Sequence, residues 1–311
     1  MVGCSASTAG GVVQAQERRT GLQGDPTLKH AALPATPSRS RWLAGLDDWM
    51  ALHPWHPRVA PFLVYIFLLP VIDWGVSWNV HVYPLLYGLQ CGLTAWLLWR
   101  YRRLTPELTL KLHWLAVPVG VAVTWAWIEM GRWMEATWPA RFVSDEPHYL
   151  PQMHDPVRYV ALGMRLLGMS ILVPIFEEMF IRSLLLRSFH RPGPLLATVL
   201  QVVEDLPGVG DWLMRKPWAM EARRQREVLG QAFLATPLGA LSVFGVTMST
   251  LVFVAHHVPR DWPATVVCAL AYCGLLWATR GKGLGPVIWA HGITNALLWG
   301  YSVGWNDWRF L

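Results

Sequence analysis

Charge is what this sequence lacks. Of its 311 residues only 15% are Asp, Glu, Lys or Arg, against about 25% in a soluble domain. The deficit excludes an ordinary water-facing globule. Cysteine is scarce as well. Cys4, Cys91, Cys268 and Cys273 form no Cys-x-x-Cys pair, and three of them lie in apolar stretches. They read as small apolar core residues rather than as a redox or zinc motif. The sequence has no His-Glu-x-x-His run and no internal repeat. No apolar run near the N-terminus is long enough for a signal peptide. The net charge of +6 sits in short loops between apolar runs. That pattern sets membrane orientation and is not a nucleic-acid footprint.

What the chain has instead is apolar length and tryptophan. Hydrophobic residues make up 53%, and Trp occurs 20 times. Trp is favoured where one edge of a side chain meets hydrocarbon and the other meets water, as at bilayer faces. Crossing about 30 Å of hydrocarbon takes about 20 apolar residues in a helix. Seven stretches approach this: Pro61 to Trp78, Val82 to Trp99, Leu112 to Ile128, Tyr159 to Leu186, Leu238 to His257, Ala264 to Thr279 and Gly285 to Tyr301. The expected fold is therefore all-α, a polytopic transmembrane helix bundle of about seven spans. Residues 1–41, rich in Ala, Ser, Thr, Gly and Pro, read as a disordered cytoplasmic tail. Residues 42–311 form the membrane domain, opening with a short surface helix from Trp42 to Trp55.

Loop charges test the span count. Arg100, Arg102, Arg103 and Lys111 follow span two, and Arg187, Arg191, Arg215 and Lys216 follow span four. Acidic residues dominate after span three, with Glu129, Glu135, Asp145, Glu146 and Asp155. Seven spans with a cytoplasmic N-terminus satisfy the excess of basic residues on the inner side. Pro194 to Val203 is apolar but too short to cross, and reads as re-entrant or interfacial. An eighth span there would reverse everything after it.

Span four carries the chemistry. It reads Val173-Pro174-Ile175-Phe176-Glu177-Glu178-Met179-Phe180-Ile181-Arg182. Each charge at the centre of a membrane helix costs about 2.5–3.5 kcal/mol on insertion scales. Such residues persist where they are partnered or line a wet cavity. Glu178 and Arg182 are four apart and can pair on one helix face. Glu177 lies about 100° round the helix, free for other work. A carboxylate beside a second one in an apolar span suits a general base near neutral pH. Pro174 lacks an N–H and should kink the helix just before the site. Span five ends Phe253-Val254-Ala255-His256-His257. Phe253 and His257 share a face, and the adjacent His256 leaves the choice of histidine open. Span seven carries His291-Gly292-Ile293-Thr294-Asn295. His291 and Asn295 share a face, and two preorganised donors aimed at one point suit a developing oxyanion.

The order Glu-Glu-x-x-x-Arg, Phe-x-x-x-His, His-x-x-x-Asn, each on its own apolar helix, resembles the CAAX prenyl protease and bacteriocin-processing family of membrane proteases. The resemblance covers about residues 110–305. The contexts Val-Pro-Ile-Phe-Glu-Glu-Met-Phe and Ala-His-Gly-Ile-Thr-Asn-Ala-Leu-Leu-Trp-Gly-Tyr look like a bacterial branch that accompanies exosortase systems. The resemblance implies a membrane endopeptidase in the bacterial inner membrane, without a cofactor. Glu177 and His257 would activate the attacking water, His291 and Asn295 would hold the oxyanion, and Glu178 and Arg182 would support the site. The implied substrate is a hydrophobic or lipid-modified peptide, reached from among the membrane lipids.

Two alternatives stand beside this. Glu177, His257 and His291 could be zinc ligands, since zinc takes three such groups plus water. The chain could also be a non-catalytic membrane scaffold or immunity protein, with the charges as a packing device. One tension remains. An antiparallel layout with these boundaries separates His257 from His291 by roughly 10 Å or more along the membrane normal.

Overall fold

The computed structural model describes residues 41–138, 149–191, 199–200, 203–204, 208–224 and 233–310. The expected disordered tail, the linker 139–148 and most of the apolar piece at 194–203 lie outside them. Every regular element among the described residues is helical. Apart from short turns of three residues, they are in chain order α1 (Arg41–Leu52), α2 (His56–Trp78), α3 (Tyr83–Tyr101), α4 (Ala116–Thr137), α5 (Asp155–Ser188), α6 (Val209–Leu213), α7 (Pro217–Arg224), α8 (Val243–Ala255), α9 (Trp262–Ala278) and α10 (Gly285–Trp305).

Three helical stretches are long and apolar enough to cross a membrane: α2, α5, and α9 together with the turn before it (Pro259–Ala278). The distribution of side chains says the same. Phe67, Trp74, Leu85, Leu89, Trp99, Val121 and Trp125 are exposed, while Arg58, Glu177, Glu178 and Arg182 are buried. A water-soluble protein rarely exposes so much contiguous apolar surface. Exposed tryptophans recur at helix ends, at Trp74 and Trp78 on α2, Trp99 on α3 and Trp305 on α10. Those positions suit the interfacial zones of a bilayer.

The helices assemble by close approach rather than by long side chains. α4 and α10 meet at Gly120, where an added Cβ would lie 2.9 Å from Ile293 and closer than 3 Å to the Ala290 carbonyl. Thr294 Oγ1 donates to the Gly120 carbonyl at 3.1 Å, and further along Arg132 donates to the Tyr301 hydroxyl at 2.8 Å. The two helices therefore run parallel. Small residues that let backbones touch are the usual basis of helix association in lipid.

Two features of the expected spans need correction. Span five starts later than its apolar run, because Leu238 to Leu241 is not helical and Ser242 caps α8 with its Oγ on the Gly245 N–H at 3.0 Å. At 13 residues α8 rises only about 20 Å, too little for a full crossing. Helix α5 is also more than a proline kink. It carries π-helical turns at Gly168–Leu172 and Met179–Leu185, on either side of the α-helical Val173–Glu178 that contains Pro174. Such turns shift the facing of everything beyond them.

Candidate active site

The middle of α5 is the meeting point. Phe176, Glu178 and Arg182 are fully enclosed and Glu177 is 8% exposed. Phe62 of α2 stacks on Phe180 at 4.2 Å and sets its edge towards Phe176. α8 and α10 close the other sides.

Glu178 has two partners. Its Oε2 lies 3.3 Å from Arg182 Nε in an ion pair without hydrogen-bond alignment. Its Oε1 accepts from His291 Nδ1 at 2.8 Å. An ionised carboxylate only accepts, so this contact places a proton on Nδ1 and turns Nε2 towards Glu177. Among the described residues Arg182 makes no hydrogen bond of normal geometry; its guanidinium lies over the rings of Phe253 (4.8 Å) and Tyr272 (5.6 Å). Aromatic faces attract a desolvated cation.

Glu177 faces two imidazoles. His256 Nε2 is 3.7 Å from its Oε1, and His291 Nε2 is 3.8 Å from its Oε2. These separations are too long for direct hydrogen bonds and suit a bridging water. His256 follows the last residue of α8, and His291 lies about two turns into α10. His256 Nδ1 hooks back to the Val252 carbonyl at 3.0 Å, which aims its Nε2 at Glu177. His257 Nδ1 hooks back to the Phe253 carbonyl at 2.7 Å. Successive residues differ by about 100°, so only one of the two rings can face the carboxylate. His257 sits 4.5 Å behind His256, ring to ring, and 5.6 Å from Trp127. The structure thus brings His256, not His257, within 4 Å of Glu177.

The end of α8 lies beside Glu177, which His291 also approaches. The turn after it keeps Arg260 and Asp261 buried. His256 and His291 consequently approach one carboxylate from two sides.

Asn295 shares a face with His291 but is engaged elsewhere. Its Nδ2 donates to the Met169 carbonyl in the first π-helical turn at 2.8 Å. Gly292, between them, lies against the Ser170 carbonyl, where a Cβ would collide. Pro174 has no N–H to offer that carbonyl. The α10 motif is thus seated directly on the irregular part of α5. The amide of Asn295 retains a second N–H. Tyr272, which donates to Thr294 Oγ1 at 2.8 Å and lies 5.5 Å from the His291 ring, backs the same face. Nothing in the sequence marked Tyr272 or Thr294 as neighbours of the site.

Among the described residues no group of three or more His, Cys, Asp and Glu is arranged to hold a metal ion. Comparison with family models, with curated proteins and with solved structures returns no match for the chain.

Proposed function

We propose that the chain is a membrane-embedded endopeptidase in which Glu177 activates water. The observation that carries the reading is one buried carboxylate between two imidazole Nε2 atoms at 3.7 and 3.8 Å. A second carboxylate, Glu178, orients one of those imidazoles. A buried base one water away from an imidazole that is itself oriented is the general architecture of acid–base catalysis. Charge balance supports it. Glu177 and Glu178 carry two negative charges against one on Arg182, so one further proton among Glu177, His256 and His291 leaves the cluster neutral. That proton has somewhere to go in each half of a hydrolysis.

In this mechanism the water lies between Glu177 and His256. Glu177 takes its proton as the oxygen attacks the scissile carbonyl. His291 Nε2, once protonated, and the second N–H of Asn295 face the developing oxyanion. Collapse of the tetrahedral intermediate expels the amine, which collects the proton from Glu177. Glu178 and Arg182 hold His291 and touch no reacting atom. His256 takes the part that the family resemblance gives to His257.

The reading extends to topology. Helices α2, α3, α4, α5, α9 and α10 cross the bacterial inner membrane with the N-terminus cytoplasmic, and α8 with the non-helical residues 238–241 ahead of it and the turn after it completes a seventh passage. A substrate with a hydrophobic or lipid-modified segment reaches the site from the bilayer. The activity needs no cofactor. Purified protein in proteoliposomes, offered a library of membrane-partitioning peptides, tests the proposal. Glu177→Ala, with unchanged folding, abolishes cleavage. Normal cleavage by that variant overturns the mechanism and leaves the buried charges as a packing device.

A further inference from the structure

A second polar cavity lies away from Glu177, and the peptidase reading gives it no role. It encloses about 280 Å³ between α2, α3 and α5. Its walls include Asp73 on α2, Tyr83 and Tyr87 on α3, Tyr149 ahead of α5, and Arg165 and Met169 on α5. We propose that this cavity binds a phospholipid head group, with the phosphate on Arg165 and the tyrosine hydroxyls.

The polar inventory is rich in donors. Arg165 Nη1 donates to the hydroxyls of Tyr83 and Tyr149, each at 2.8 Å. Its Nε is buried with no hydrogen-bond partner. Tyr87 is 3% exposed; Tyr65 lies close to its hydroxyl, but no hydrogen bond of normal length and angle reaches it. A guanidinium has donors only, and each phenol adds another. Among the described residues no carboxylate lies within 4.0 Å of Arg165, unlike Arg58, Arg100 and Arg182. The cation has two neutral hydroxyls as acceptors and no paired carboxylate among the described residues, and each hydroxyl still has a proton to donate, so an anionic oxygen group from outside satisfies both. The Nε edge of a guanidinium matches carboxylate and phosphate alike.

The position favours phosphate. α2 and α5 are two of the helices fit to cross a membrane. The His154 N–H donates to His81 Nε2 at 3.2 Å, so α5 starts level with the turn between α2 and α3. Arg165 reaches back towards that level, to Tyr83 at the start of α3 and Tyr149 ahead of α5. Exposed Trp74 and Trp78 stand on the same end of α2. That is the interfacial zone, where Trp concentrates and phosphates lie. Asp73, exposed and lining the same cavity, complements an ammonium. The head group that satisfies both ends is phosphoethanolamine.

The test is native mass spectrometry of the full-length protein, equilibrated with equal amounts of phosphatidylethanolamine, phosphatidylglycerol and phosphatidylcholine. Wild type retains phosphatidylethanolamine preferentially. Arg165→Gln lowers retention by about 10- to 100-fold, the worth of hydrogen bonds to a charged group. Tyr87→Phe keeps the ring and lowers it by about 3- to 10-fold. Asp73→Asn reduces the preference for ethanolamine over glycerol by about 2- to 5-fold, as for an exposed ion pair. If Arg165→Gln does not fold, by gel filtration, the Tyr87 and Asp73 variants decide. Equal retention by wild type and the folded variants overturns the proposal. So does displacement of the lipid by a peptide with a free carboxy terminus but not by its amide, which would make the cavity a peptide site. Peptide cleavage is not the readout, so failure here is distinct from failure of the peptidase reading.

Discussion

Removing the charge of Glu178 isolates the most heavily buried ion pair among the described residues. Glu178 and Arg182 are both 0% exposed, so Glu178→Gln leaves a guanidinium in the bundle with aromatic faces but no carboxylate. Breaking a buried pair from one side costs about 3–5 kcal/mol, because the remaining charge stays uncompensated. The rings of Phe253 and Tyr272 are present before and after the change, so they do not reduce that difference. The variant also loses the charged acceptor that holds His291 Nδ1. Unfolding can be followed in detergent by fluorescence, since the chain has 20 Trp. The decisive comparison is a double-mutant cycle with Arg182→Met. Glu178→Gln and Arg182→Met each destabilise by about 3–5 kcal/mol, and the double variant is less destabilised than the sum of the two by about 2–4 kcal/mol, since removing both charges leaves no uncompensated ion in the bundle. If the two losses simply add, or if Glu178→Gln unfolds like wild type, the pair is not the coupled, desolvated unit described here.

Three further outcomes follow from the site. In proteoliposome cleavage assays His256→Gln lowers turnover by about 10²–10⁴-fold, the usual worth of a positioned acid–base group, and His257→Gln lowers it by less than about 10-fold; the opposite order would return the catalytic role to His257. Dialysis against a chelator leaves cleavage unchanged; loss of activity restored by added zinc would favour the metal reading, with Glu177 and the imidazoles as ligands. Gly292→Ala drives a Cβ into the Ser170 carbonyl and destabilises by about 1–3 kcal/mol. The control Gly45→Ala, where nothing lies within 4 Å, changes stability by at most about 1 kcal/mol. Thermal melts compare the two.

Helix positions were legible because apolar runs and their punctuation are local properties. Each of the seven expected stretches overlaps one helix, three of these being long and apolar enough to cross a membrane, and Arg41–Leu52 nearly coincides with the expected helix from Trp42 to Trp55. The Glu178–Arg182 pair was legible for the same reason, being four residues apart on one helix. The partner of Glu177 was not. Which of two adjacent histidines faces a carboxylate depends on where α8 stops. That end is set by the backbone leaving the helix at His256 and by the turn at Pro259–Asp261 that follows, not by hydrophobicity. Asn295 was legible only in part. Sharing a face with His291 suggested a common target, but the π-helical turn at Gly168–Leu172 presents the Met169 carbonyl to it. Glu178 was read as a partner of Arg182 alone, because its second bond, to His291, spans 113 positions.

The account turns on water activated at Glu177, and single-turnover cleavage in water labelled with heavy oxygen tests this most directly. With wild type in proteoliposomes, the new carboxy terminus carries the label and no acyl-enzyme accumulates. Glu177→Gln, which keeps the shape and removes the base, slows the labelled product by about 10³-fold or more. A Glu177→Gln protein that releases labelled product at the wild-type rate, or a wild type that forms a covalent intermediate, would contradict it.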